Sequence, residues 1–126
     1  MIEKNVGLPP ISSQDFEQAR IKHVLFKSKL RALLYGASID PEPVINNHAC
    51  ALGQWIQQVA FPQLGDSPEL RQLDLVHDQL HDTARHLYQL YKAGRQDEAI
   101  EGLTKVEDLA EAFLKLLSVL EKKTIR

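Results

Sequence analysis

The sequence predicts an all-α protein folded as an antiparallel four-helix bundle. Four segments repeat apolar residues at intervals of three and four, which is the spacing of one face of a helix. The connections between them are short and contain proline or glycine, and no segment shows the polar-apolar alternation of a half-buried strand. Long amphipathic helices joined by short connections pack antiparallel to their neighbours.

The first helix is predicted to begin after Ser12 and to end at Tyr35. Ser12 and Asp15 have the spacing of a capping box, and a glycine follows Tyr35. One histidine, His23, lies in the middle of its apolar line, which consists of Phe16, Ala19, His23, Phe26, Leu30 and Leu33. We therefore expect His23 to face the core.

The second helix is predicted to begin near Pro43 and to end near Phe61. A proline in the first turn removes no intrahelical hydrogen bond, and Pro62 disfavours helical backbone in the residue before it. The segment is apolar over a wide arc, so we expect it to be buried on more than one side.

The third helix is predicted to begin at Pro68, capped by Ser67, and to end before Gly94. Its apolar line contains His77, and His81 lies beside that line one turn later. Both imidazoles therefore fall where a bundle helix buries its side chains.

The fourth helix is predicted to extend without interruption from Asp97 to Lys123. Its apolar stripe is wider than a single bundle face requires. Either a second copy of the chain in a homodimer or burial within the monomer would cover the excess.

Size and composition are typical of a single soluble domain and favour neither nucleic acid nor a membrane as a partner. A chain of 126 residues with 44% hydrophobic and 25% charged residues is typical of one soluble domain, and residues 1–11 are predicted to be a flexible leader before a domain at 12–126. A net charge of −2 does not favour binding to nucleic acid or to an anionic membrane. Neither a secretory signal nor a membrane-spanning segment is evident, which predicts a cytoplasmic protein.

Three histidines and the single cysteine form the strongest candidate site. His77 and His81 are four residues apart, so their β-carbons are about 5–6 Å apart on one helix face, and both rings can bind one ion. An unpaired buried imidazole costs about 1–3 kcal/mol. A cation shared by His23, His77 and His81 explains the three core histidines most economically, and with Cys50 they make a tetrahedral zinc set.

The ligand from the second helix is less certain from geometry alone, because on a regular helix Cys50 points roughly 160° away from the line of Val44 and Trp55. His48 points along that line. Three explanations stay open: the helix is buried on several sides, it is distorted or begins late near Cys50, or His48 is the ligand. Gly53, one turn after Cys50, would let a neighbouring helix approach the thiolate closely.

The combination of these motifs resembles the CZB family, the chemoreceptor zinc-binding domain of bacterial signalling proteins. A histidine is followed three residues later by an aromatic residue, here His23 and Phe26. A Cys-x-hydrophobic-Gly-x-aromatic block follows at 50–55, and then a His-x-x-x-His pair at His77 and His81. Phe26 stands where the family frequently has tryptophan.

The resemblance extends from about Phe16 to Leu120 and implies a four-helix bundle around one zinc ion. It favours Cys50 over His48 as the fourth ligand. In this family the domain is usually attached to a chemoreceptor or a diguanylate cyclase, whose output changes with zinc occupancy or with oxidation of the thiolate by hypochlorous acid. The implied zinc ligands are His23, Cys50, His77 and His81.

The predicted function is a zinc-binding sensory or regulatory module in bacterial signal transduction, for example chemotaxis, and not an enzyme. Four protein ligands leave no coordination position for a water nucleophile. The module would respond to zinc level or to thiolate oxidation and pass a conformational change to a chemoreceptor, a cyclase or another signalling protein.

Two alternatives belong to other classes. One is a helical dimerisation or interaction module without metal, in which the histidines are incidental. The other is a non-haem metal enzyme, which is disfavoured because carboxylate-bridged di-iron bundles require Glu-x-x-His pairs. Here the residues three before His77 and His81 are Asp74 and Asp78.

Overall fold

The computed structural model describes residues 10–125. Every secondary-structure element in this range is a helix or a helical turn, and none is a strand. The all-α class is therefore confirmed. In chain order the elements are α1 (Ser13–Leu34), α2 (Glu42–Ile45), a 3₁₀ turn (Asn47–Ala49), α3 (Ala51–Trp55), a π-helical segment (Ile56–Ala60), α4 (Phe61–Leu64), α5 (Pro68–Lys92), α6 (Gln96–Glu101) and α7 (Leu103–Thr124).

Helix α1 confirms the first predicted helix. Ser12 is its N-cap, and the backbone N–H of Ser12 donates to Asp15 Oδ2 at 2.8 Å, which completes the capping box. Each residue of the predicted apolar line is buried, His23 included. Residues 1–9, most of the predicted leader, lie outside the described residues, whereas Ile11 packs on the core and its N–H donates to Gln63.

The prediction of one continuous second helix is wrong. The backbone is extended at Asn46 and again at Cys50, so α2 and α3 are separated by the 3₁₀ turn. The Asn46 side chain accepts from His48 N at 3.0 Å and caps that turn, a local bond that competes with helix continuation. Cys50 is the N-cap of α3, which means that the helix carrying the cysteine begins late.

The predicted end of this helix near Phe61 is also wrong, because helical backbone continues through Pro62 to Leu64. The hydrogen-bond register changes just before the proline, where Phe61 N–H donates to Ile56 O across five residues. Pro62 then occupies the first turn of α4, where a missing N–H removes no intrahelical bond. The helical stretch ends at Gly65, whose φ of 76° suits glycine.

The predicted fourth helix is divided at Gly102 into α6 and α7. A β-carbon added at Gly102 would lie 2.2 Å from Leu87 Cδ2 and 3.3 Å from Ala99 O. The glycine therefore allows α5 to pack closely against the junction. Part of the wide apolar stripe is covered within the monomer, because Ile100, Leu109 and Leu116 pack against the core.

Helix α7 is antiparallel to both α1 and α5. Arg20 pairs with Glu121 and Lys27 with Glu107, so ascending α1 meets descending α7. At the start of α5, Glu69 pairs with Lys123 near the end of α7. The core lies between these helices and the Glu42–Leu64 segment. None of the helices among the described residues is long and apolar enough to cross a bilayer.

Substitution of Gly102 by alanine tests the close packing at this junction. We expect G102A to destabilise the protein by about 1–3 kcal/mol through overpacking against buried Leu87, although alanine is the better helix former. In an L87A background the same substitution should become neutral or stabilising. Denaturant unfolding of the two single variants and the double variant measures the coupling, and strict additivity would contradict the close contact.

Candidate metal centre

Cys50, His77 and His81 form a buried cluster at the middle of the protein. One ligand atom from each lies within 4.8 Å of the others, and their residues are 6%, 3% and 1% exposed. A thiol and two imidazoles are the donors that Zn²⁺ prefers. Burial of this donor set together is chemically costly without a bound ion or hydrogen bonds.

The two histidines come from consecutive turns of α5, as their spacing predicts. Their ring centroids are 4.6 Å apart. The late start of α3 brings Cys50 to the same place, because an N-cap residue lies at the helix end and not on its side. The cysteine side chain makes no capping hydrogen bond, which leaves Sγ available. His48, the alternative ligand, is exposed and lies outside the cluster.

Gly53 makes room for His77. A β-carbon at Gly53 would lie 3.0 Å from His77 Cε1 and only 2.5 Å from the Asn47 carbonyl oxygen. The close approach expected at this glycine is therefore present, although the ring that approaches belongs to His77. The glycine lets α3, the 3₁₀ turn and α5 meet at one point.

The hydrogen bonds of the cluster determine where its protons lie. His81 Nδ1 is 2.6 Å from the carbonyl oxygen of Val44, which only accepts, so His81 donates from Nδ1 and its Nε2 carries a lone pair. His77 Nε2, 3.1 Å from His81 Nε2, must then be the donor of that contact. Neutral His77 consequently has a bare Nδ1 in the metal-free protein.

His23 is fully buried beside this cluster but is not among the three grouped ligands. Its ring stacks on Phe113, with centroids 4.9 Å apart and planes 9° from parallel. Neither ring nitrogen has a hydrogen-bond partner among the residues that the structure describes. An unsatisfied buried imidazole of this kind fits a metal ligand better than a structural core residue.

Burial lowers the pKa of all three histidines. The pKa of His77 falls to about 3 and that of His23 to about 4, in each case mainly because desolvation penalises the charged ring. The neighbouring His81 and His23 lower the pKa of His77 further, and the Lys27 ammonium lowers that of His23. The pKa of His81 is lowered by desolvation as well, against the opposing effect of its bond to Val44. All three imidazoles are therefore neutral at pH 7, the form that binds metal.

An acidic pocket of about 360 Å³ opens next to the cluster, and its lining includes Asn47, Gly53, Gln57, Asp74, His77 and Asp78. Asn47 Nδ2 donates to Asp78 Oδ1 at 2.6 Å, and Gln57 Nε2 donates to Asp74 Oδ1 at 3.1 Å. Desolvation and the neighbouring Asp78 raise the pKa of Asp74.

A family model for the chemoreceptor zinc-binding domain matches residues 23–88, slightly more than half of the chain. The chain belongs to this family. The chemoreceptor zinc-binding match contains His23, Cys50, His77 and His81, and it ends before α6 and α7, so it is shorter than the span from Phe16 to Leu120 expected from the sequence. No curated protein and no solved structure matches the chain.

Several contributors to the candidate metal site have no signal in the sequence. The Val44 carbonyl that orients His81 carries no sequence signal, since every residue has a carbonyl. Phe113, which stacks on His23, has in the sequence only the spacing of a core residue in the last helix. The pairing of Asn47 with Asp78 depends on the 3₁₀ turn, which was not predicted.

Acid should destabilise the metal-free protein through its histidines. Their folded-state pKa values lie below the ordinary 6.5, so the unfolded chain binds protons first. The contribution of the neutral histidines to the free energy of unfolding is fully present above pH 6.5. It is lost as the pH falls toward 4, by up to about 1.4 kcal/mol per pH unit for each such histidine.

Denaturant unfolding of chelated protein across this pH range measures the slope. H23F removes one titrating ring and should reduce the slope, whereas H86Q, at an exposed position, should leave it unchanged. Equal slopes in wild type and H23F would contradict neutral burial of His23.

Proposed function

We propose that this chain is a zinc-binding sensory module in which one Zn²⁺ is held by His23, Cys50, His77 and His81. The observation that carries the proposal is the buried Cys50–His77–His81 cluster, with the unpartnered ring of His23 beside it. Three imidazoles and one thiolate form the complete tetrahedral set typical of a structural or sensing zinc site.

The chain prepares its ligands before metal arrives. The bond from His81 Nδ1–H to the Val44 carbonyl leaves His81 Nε2 as the ligand atom and restrains the ring. Cys50 loses its thiol proton on binding, and neutral His77 can bind the ion through Nε2 once the proton that it donates to His81 moves to Nδ1. A metal ligand at His23 would satisfy a nitrogen that has no partner in the described residues.

Whether His23 binds the ion determines whether the zinc keeps a coordination position for water. Cys50, His77 and His81 alone would leave one position for water, which is the arrangement of catalytic zinc. With His23 as the fourth ligand no such position remains, and this supports a sensor and argues against the non-haem enzyme alternative. We propose accordingly that the protein is not an enzyme.

Ligand substitution tests the site. We expect one zinc per wild-type chain. We expect H23Q, C50A, H77Q and H81Q each to weaken binding at least about tenfold, because each removes a side chain that binds the ion directly. The matched controls H48Q and H86Q replace exposed histidines and should bind as wild type does. Competition titration against a chromophoric chelator measures the affinities.

If H23Q bound zinc with wild-type affinity, His23 would not be a ligand, and the site would have three protein ligands and one open position. The absence of zinc from native mass spectra of the wild-type chain would favour the metal-free interaction module.

The signal is proposed to be zinc level or oxidation of the Cys50 thiolate. Oxidation to a sulfenic acid would remove a strong ligand, and Cys50 is the connection between the site and α3. The segment Glu42–Leu64 consists of short helical pieces joined at Asn46, Cys50 and the π-helical segment. Release of Cys50 is therefore proposed to shift this segment against α1 and α5.

Trp55, the single tryptophan, reports on this movement. It lies on α3 against Phe16 of α1, with ring centroids 5.9 Å apart. We expect chelation or stoichiometric hypochlorous acid to change its fluorescence in wild type, and expect C50A to show neither change. An oxidant response of equal size in C50A would contradict the role of the thiolate.

The wider architecture is proposed to be an antiparallel four-helix bundle, with Glu42–Leu64 as the second helix beside α1, α5 and α7. The antiparallel ion pairs of α7 with α1 and α5 support this arrangement. We also propose that the protein forms a homodimer. Its signalling partner would be a chemoreceptor, a cyclase or another signalling protein in the bacterial cytoplasm.

A further inference from the structure

Two pockets lead from the surface to the buried cluster, and they differ in charge. The acidic pocket reaches His77. A second pocket of about 70 Å³ reaches Cys50 and is lined by Phe26 and Val44, with Lys22 and Lys29 also lining it. We propose that Asp74, Asp78 and His77 form a capture site for divalent metal cations in the acidic pocket, through which the ion reaches the buried cluster; this inference rests on the proposed function.

The carboxylates of Asp74 and Asp78 are available to a cation. Their hydrogen-bond donors are neutral amides, Gln57 for Asp74 and Asn47 for Asp78, which orient the oxygens without compensating their charge. The other acids near α5 differ, since Asp82 pairs with Arg85. Ligand atoms of Asp74, Asp78 and His77 all lie within 4.8 Å of one another, a separation that one ion can bridge.

His77 supplies an observation that is independent of the acids. The side chain is 97% buried and lines the acidic pocket. Its Nε2 donates to His81, and its bare Nδ1 has no hydrogen-bond partner among residues 10–125. A nitrogen lone pair free of protein hydrogen bonds, on a ring that lines the pocket beside two carboxylates, is available as a third ligand to a divalent cation.

Gly53 keeps the passage to His77 open, because a side chain there would meet both His77 Cε1 and the Asn47 carbonyl. His77 belongs to the outer group and to the inner cluster. His77 could therefore bind the ion in the acidic pocket and again in the buried cluster, so the ion keeps a protein ligand throughout the transfer.

The pocket at Cys50 is the less favourable route for a cation. Lys22 and Lys29 line it, and their positive charge repels a divalent ion. The remaining lining is largely apolar and offers no ligand oxygen from a side chain. Charge of one sign lining a cleft changes association rates by ten-fold or more.

Stopped-flow uptake of Co²⁺ by the chelated full chain tests the route, because the cobalt–thiolate absorption band appears only when the ion reaches Cys50. We expect D74N/D78N to lower the second-order rate constant about tenfold or more. The matched control D66N/D82N also removes two negative charges, from exposed positions paired with arginine, and should change the rate less than about twofold.

Equal slowing in both double variants, or no slowing in either, would overturn the capture site. K22Q/K29Q should also stay within about twofold of wild type, and a tenfold acceleration would place the route in the other pocket. If wild type develops no cobalt–thiolate band, the proposed function itself fails, and the uptake inference fails with it.

Binding of Mn²⁺ provides a second readout that does not depend on the inner cluster. Mn²⁺ prefers carboxylate and imidazole ligands over thiolate, so its paramagnetism should broaden the NMR signals of Asp74, His77 and Asp78 first. This broadening should disappear in D74N/D78N and persist in D66N/D82N. Broadening centred elsewhere, or unchanged in D74N/D78N, would contradict a capture site here.

Discussion

The constraint on which this structure depends is the burial of three imidazoles with fewer hydrogen-bond partners than ring nitrogens. His81 is satisfied by Val44 and His77, whereas His23 has no partner in the described chain. Each unsatisfied nitrogen costs about 1–3 kcal/mol, a large fraction of the 5–15 kcal/mol by which a typical domain is stable. Metal binding would convert this cost into coordination, so the residues that weaken the metal-free core are those proposed to sense the ion.

The irregular segment Glu42–Leu64 allows a cysteine to reach the buried imidazoles. A regular helix would have carried Cys50 away from the imidazoles, and the interruption at Asn46–Cys50 instead presents the thiol from a helix end. The same interruption provides the Val44 carbonyl for His81 and the Asn47 amide for Asp78. The proposed movement would take place at these breaks in the helical hydrogen bonding, and π-helical turns are frequent at functional sites.

The sequence alone was sufficient to predict burial wherever the apolar repeat of a helix is regular. The apolar lines of α1 and α5 are regular, so the burial of His23, His77 and His81 followed from spacing. It was insufficient where tertiary contacts override local preference. Helical backbone continues through Pro62 after a π-helical segment that changes the hydrogen-bond register, and the last helix is divided at Gly102, where Leu87 of α5 packs closely. The register change before Pro62 and the close contact with Leu87 both depend on tertiary packing, and the late start at Cys50 was one of three open explanations.

The central claim is that three histidines and one cysteine close the coordination sphere of a single zinc ion. X-ray absorption at the zinc edge of the loaded chain measures this most directly. The account predicts one sulfur at about 2.3 Å and three imidazole nitrogens at about 2.0–2.1 Å. A spectrum without sulfur, or with two imidazoles and oxygen ligands in place of the third, would contradict it.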